Sequence, residues 1–146
     1  MAGLNPSHSP TGEIKNFLRT LWDSKQFSDV TLVCDDQQWL KAHKLILSAS
    51  SSYFKEILSD NDDEDETIIY LDGTQNQDMI VILQYIYCGE TPISYSNMRT
   101  LKHVAENLKF CQFLETVTDF ETESFVRLFT PLSPKHNETE NVALEN

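Results

Sequence analysis

Phe27-Ser28-Asp29-Val30-Thr31-Leu32-Val33-Cys34, followed after a short polar turn by Lys41-Ala42-His43-Lys44-Leu45-Ile46-Leu47-Ser48-Ala49-Ser50-Ser51-Ser52-Tyr53-Phe54, is the stretch that decides the fold. Asp29 to Cys34 is β-branched and apolar, and period two puts Val30, Leu32 and Cys34 on one face of a strand. Asp35-Asp36-Gln37 turns the chain, and Gln38 to Ala42 returns as the second strand of a hairpin that ends on His43. A helix follows almost at once. Ser48 or Ser50 is placed to cap the helix that carries Tyr53, Phe54, Ile57 and Leu58 on one apolar face.

On the N-terminal side, residues 1–12 hold two prolines and two serines with no apolar rhythm and read as a flexible lead-in. Ile14, Phe17, Leu18, Leu21 and Trp22 then fall at i, i+3, i+4, i+7 and i+8, the stripe of an amphipathic helix. Lys15, Asn16, Arg19, Thr20 and Asp23 fill its other face. A stripe this heavy must be covered, by its own domain or by another copy of the chain. On the C-terminal side, Thr67-Ile68-Ile69-Tyr70-Leu71 reads as a third strand closed by Asp72-Gly73. Gln77 to Tyr87 is apolar nearly all round, which marks a central buried helix, and Gly89 supplies a left-handed stop. Asn97 precedes a helix with Met98, Leu101, Val104, Ala105 and Leu108 inward. Phe110, Phe113, Leu114 and Val117 add a turn or two. Phe120, Phe125, Val126, Leu128 and Phe129 form one candidate short helix within 117–130, and Pro131-Leu132-Ser133-Pro134 opens a polar tail over 131–146. The expected class is α+β: a small three-stranded sheet with a cluster of α-helices around it.

Composition narrows the function classes. A chain of 146 residues, 40% hydrophobic, buries one core rather than two. No stretch approaches the roughly 18 to 20 apolar residues needed to cross a bilayer. No secretory signal precedes the first helix, so cytosolic synthesis with access to the nucleus is expected. Cys34, Cys88 and Cys111 are widely spaced and odd in number, sit in apolar patterns, and read as reduced packing residues; the Asn137-Glu138-Thr139 sequon then has no use. Eleven basic against 23 acidic residues give a formal charge of −12, which opposes direct binding to nucleic acid or an anionic membrane. Asp60, Asp62, Asp63, Glu64, Asp65 and Glu66 concentrate acid in one loop, either a docking patch for a basic partner or a solvated connection.

The run from Phe27 to Phe54, the block Ile82-Leu83-Gln84-Tyr85-Ile86-Tyr87-Cys88-Gly89-Glu90, and Leu101 to Phe113 with Ala105-Glu106-Asn107-Leu108, in this order and spacing, closely resemble the BTB/POZ domain. The resemblance spans roughly residues 13–116 and is nearest the N-terminal domain of BTB zinc-finger transcription regulators. It implies a protein–protein interaction fold and a homodimer in which the first helix of one subunit packs on the other. The interface residues it implies are Ile14, Phe17, Leu18, Leu21, Trp22, Phe27 and Val30. Asp29 and Lys44 match positions that form a charged pair near the dimer groove in the transcription-factor members. Read from the residues alone, Asp29 caps local backbone and Lys44 is solvated. His43, polar beside an apolar helix start, suits a structural hydrogen bond.

Two functions follow from the resemblance. In one, the dimer of a nuclear transcription or chromatin regulator recruits corepressor, chromatin or architectural proteins, in a groove at the dimer interface or along an exposed sheet edge. In the alternative, the domain binds a cullin scaffold and presents substrates to a ubiquitin ligase. Cullin-binding members usually carry several further helices after the domain, and the segment after Val117 is too short for them, which favours the first. Some insect members bear an N-terminal segment tied to larger assemblies; no Arg-Trp motif of that sort precedes the first helix, so a plain dimer is expected. An enzyme would have to use His103 and Glu106, three apart on one helix, with Cys88 and Cys111. Glycine-rich phosphate loops are absent, and no Ser, His and Asp set stands out. No catalysis, metal or cofactor is expected.

Overall fold

The structure, a computed structural model, describes residues 10–60, 65–90 and 92–129. Its elements run α1 (Pro10–Ser24), β1 (Val30–Cys34), β2 (Trp39–Ala42), α2 (Lys44–Ser50), α3 (Ser52–Ser59), β3 (Thr67–Leu71), α4 (Asn76–Cys88), α5 (Met98–Asn107) and α6 (Cys111–Phe129). The three-stranded sheet has the order β2-β1-β3. β1 pairs antiparallel with β2 through the hairpin and parallel with β3. A parallel pair needs a crossover connection, and α2 and α3 provide it.

Alternation on the strands divides the sheet as the sequence requires. Val30, Leu32, Cys34, Ala42 and Leu71 enter the core, while Thr31, Val33, Trp39, Lys41, Ile68 and Tyr70 belong to the outer face. The core is completed by α4, which buries Met79, Val81, Ile82, Leu83 and Tyr87, and by Leu101, Val104, Phe110, Phe113 and Val117 of the last two helices and their link. Each such side chain contributes roughly 1.5–3 kcal/mol by leaving water. Gly89 ends α4 at φ 72, donating its N–H to the Tyr85 carbonyl at 2.9 Å.

Four local expectations are corrected. Residues 10–12 are helical, so the expected flexible lead-in ends earlier than residue 12. The serine that caps α3 is Ser51, one residue after the second of the two expected candidates, Ser48 and Ser50. Its Oγ accepts the Phe54 N–H at 3.1 Å and donates to the Leu108 carbonyl at 2.6 Å, joining α3 to the end of α5. The expected boundary at 116–117 falls inside α6, a single helix of 19 residues. Thr116, Thr118 and Thr122 donate their hydroxyls to the carbonyls four residues back, so these threonines satisfy themselves without leaving the helix. Finally, Glu66 is no free member of the acidic loop: its carboxylate accepts from Lys41 Nζ and from Thr31 Oγ1. Those hydrogen bonds, the lysine's first, hold its pKa below the usual carboxylate range. Residues 61–64 of that loop and the tail over 131–146 lie outside the described residues.

Candidate interaction site

The α1 stripe divides along its length. Leu21 is buried and Leu18 and Trp22 pack half-buried on the core, whereas Ile14 is 60% and Phe17 58% exposed. The inward half is fastened to α4. Arg19 Nη1 binds Glu90 Oε1 at 2.8 Å and Nη2 donates to the Cys88 carbonyl at 3.4 Å, closing the end of that helix. The Trp22 ring lies 5.5 Å from that of Tyr87, and Lys25 Nζ sits 3.2 Å over the Trp22 ring. The outward half therefore projects from a helix whose orientation is set by the fold.

Between α1 and β1 the chain makes an unusual turn. Lys25 (φ 58) and Phe27 (φ 62) are both left-handed, a region a bulky side chain occupies at a cost of order 1 kcal/mol. Phe27 is 80% exposed. The turn is held from within: the carbonyl of Gln26 faces His43 Nε2 at 2.6 Å, and Nδ1 of that ring meets the Tyr87 hydroxyl at 2.8 Å. A carbonyl only accepts, so Nε2 carries the proton and Nδ1 receives the tyrosine hydrogen. The same hydroxyl accepts the His43 main-chain N–H at 3.0 Å, so both ring nitrogens of His43 and the buried Tyr87 hydroxyl have partners. Burial of Tyr87 raises its phenol above the ordinary value, with a smaller opposing effect from the His43 main-chain bond.

Val30 does not belong with the surface residues. It is 0% exposed within one chain, because it occupies the inward position of β1, and so contributes to the core instead of to an interface. Asp29 and Lys44 are brought together, through a bond from the Lys44 main-chain N–H to Asp29 Oδ1 at 2.7 Å. His43 itself makes no side-chain cap for α2, so Asp29 supplies one from the start of β1. His103 and Glu106 are exposed on α5, the former against the Asn107 amide at 3.1 Å. Cys34 is buried, Cys88 half-buried and Cys111 exposed. Among the described residues no group of three or more His, Cys, Asp or Glu is arranged to hold a metal ion, and no helix is long and apolar enough to cross a membrane.

Features that sequence reasoning missed are the left-handed turn at Lys25 and Phe27, the exposed Leu45 on α2, and the aromatic outer face of the sheet, where Trp39 and Tyr70 are exposed. The alternation Trp39, Lys41 opposite Ile68, Tyr70 was the available signal for the last of these.

The sequence model of the BTB/POZ domain matches residues 18–124. The chain is 37% identical over 105 residues to the Longitudinals lacking protein-like of Drosophila melanogaster, covering 72% of this chain and 81% of that protein. It is 35% identical over 96 residues to Protein bric-a-brac 2 of the same organism, covering 66% of this chain but 9% of that protein. Among solved structures, the BTB domain of human gigaxonin aligns with a TM-score of 0.64 at 26% identity, covering 82% of this chain and 96% of that one. The BTB domain of zebrafish PATZ1 aligns at 0.69 and 19% identity, over 84% and 98%, which speaks to the fold alone. A family match over most of the chain, on the sheet and helices just described, shows that this protein belongs to the BTB/POZ domain family.

Proposed function

We propose that the chain is the homodimerisation and partner-recruiting module of a nuclear transcription or chromatin regulator. The observation that carries this reading is the split α1 stripe: Ile14 and Phe17 face outward on a helix whose inner half is fixed to α4. Phe27 adds a third exposed apolar side chain on the turn that follows α1. Such a surface is costly in water and is suited to covering by a second copy, which would bring the combined area towards the roughly 1,000 Å² of a persistent interface. The partners are corepressor, chromatin or architectural proteins, bound in the groove that two such helices create or along a sheet edge, with no chemistry performed. Similarity to Protein abrupt and Protein tramtrack, at 36% and 33% identity, agrees with membership of a larger regulator. DNA contact is assigned to other parts of such a protein, since the charge of −12 repels phosphate.

A second reading is favoured by α6. The helix continues to Phe129, leaving Phe125, Val126, Leu128 and Phe129 exposed, with the two phenyl rings 4.5 Å apart. An apolar helix end of this kind suits packing by following helices of a cullin-binding adaptor. One experiment separates the two. Tethered to a heterologous DNA-binding module, the domain should alter reporter transcription, and Ile14→Asp with Phe17→Asp should abolish the effect. A stoichiometric complex with purified cullin and an inert reporter would replace the first reading with the second.

A further inference from the structure

The outer face of the sheet carries a second apolar surface with its own geometry. Val33 of β1 is in register with Trp39 of β2 on one side and Tyr70 of β3 on the other. The three side chains therefore form one row across the sheet. The next row on the same face is Lys41, Thr31 and Ile68. Trp39, Ile68 and Tyr70 are each more than half exposed, and these residues with Glu66 line an open groove of about 410 Å³.

Two properties of the groove select its occupant. The first is charge. Lys41 is paired with Glu66, so the groove is neutral overall in a chain of net charge −12. The surrounding field disfavours an acidic ligand and attracts one with basic flanks. The second is spacing. Trp39 and Tyr70 stand two strand separations apart, about 9.5 Å. A polyproline II helix repeats every three residues at 3.1 Å each, so residues i and i+3 on one side lie about 9.3 Å apart. An extended strand presents same-face residues about 6.7 Å apart, and one or two turns of α-helix give about 5.4 or 10.8 Å. The polyproline II repeat fits the aromatic pair best.

We propose that the sheet face binds a Pro-x-x-Pro segment of another protein in the polyproline II conformation, with basic residues flanking the prolines. One prolyl ring lies against the Trp39 indole and the other against the Tyr70 phenol, above a floor of Val33. The indole N–H and phenol O–H are donors for the carbonyls of a backbone that makes no hydrogen bonds of its own. Aromatic-lined grooves are a general means of recognising such segments, whose ordering costs little entropy.

The test uses the intact 146-residue chain and a synthetic ten-residue peptide with two prolines three apart and arginines outside them. Titration should give saturable heat and a blue shift in tryptophan emission. Affinity should fall at least tenfold when the prolines are placed two apart or replaced by alanine, and when Tyr70→Ala or Ile68→Lys is introduced in protein whose circular dichroism is unchanged. Salt raised from 50 to 500 mM should weaken binding several-fold. Ile14→Asp with Phe17→Asp should leave it unaltered, which separates this result from the fate of the α1 reading. No saturation at millimolar peptide, or equal affinity for the proline-free peptide, would overturn the proposal. So would a fall in the sedimenting mass of the chain on Tyr70→Ala without any peptide binding to wild type, which would make this face a contact between copies.

Discussion

The Asp29 carboxylate accepts the main-chain N–H of Lys44 at 2.7 Å, so the residue that leads into β1 closes the first turn of α2. The backbone of Asp29 is engaged as well. Its N–H donates to the Ala42 carbonyl at 3.2 Å and its carbonyl accepts the Thr67 N–H at 3.1 Å. One residue thus joins β2, β3 and α2, and its side chain works as a helix cap supplied from a distant part of the chain.

Removing that cap should be felt as stability before it is felt as binding. Asp29→Ala is expected to cost about 1–2 kcal/mol, the usual value of a lost N-cap. Asp29→Asn keeps the acceptor and gives up only the favourable charge at the helix start, worth about 0.3–1 kcal/mol. Urea unfolding of the three proteins checks this. Equal losses in both variants would show that the negative charge, as in a charged pair, matters more than the cap.

Tyr87→Phe should cost about 1–3 kcal/mol, because it strips the partner from the His43 N–H and from Nδ1 in a buried place where water cannot replace it. The ring packing against Trp22 survives the substitution, so the loss isolates the hydroxyl. Since the same network holds the Gln26 carbonyl, amide hydrogen exchange should accelerate from Lys25 to Ser28 more than in α5.

The three thiols should separate by reactivity. Burial, then the nearby Asp36 and Asp35, pushes the Cys34 thiol up to about 11, and burial raises that of Cys88 as well. Maleimide at pH 8 is expected to label Cys111 first, Cys88 more slowly and Cys34 only on unfolding. The unfolded chain releases the Cys34 proton near 9 and the folded chain near 11. The folded state therefore holds the extra proton in that window, and the contribution of Cys34 to stability declines as pH rises through it. Denaturant midpoints of wild type and Cys34→Ala measured from pH 8 to 11 should converge.

The sheet and the buried helix α4 were legible because each depends on a local period: two for Val30, Leu32 and Cys34, and near-continuous apolarity for Met79 to Tyr87. What covers a stripe is a different matter. Ile14 and Leu21 lie on one face of α1 and share one rhythm, yet only Leu21 meets the core, because the core ends partway along the helix. The resemblance implies Val30 as an interface residue, yet it shares its period-two face with Leu32 and Cys34, and that face meets the core. The continuity of α6 was hidden by Thr116, Thr118, Asp119 and Thr122, which dilute the apolar rhythm although the threonines bond back along the helix. The row of Trp39, Val33 and Tyr70 spans residues from three strands and exists only once the register is known.

The most direct measurement is sedimentation of the isolated chain at micromolar concentration, alone and with Ile14→Asp and Phe17→Asp. The wild type should sediment at twice 16.8 kDa, and the double variant as a folded monomer with unchanged far-ultraviolet circular dichroism. A wild-type chain that stays monomeric and soluble at these concentrations, or a dimer indifferent to both substitutions, would contradict the assignment of α1 as the dimer interface.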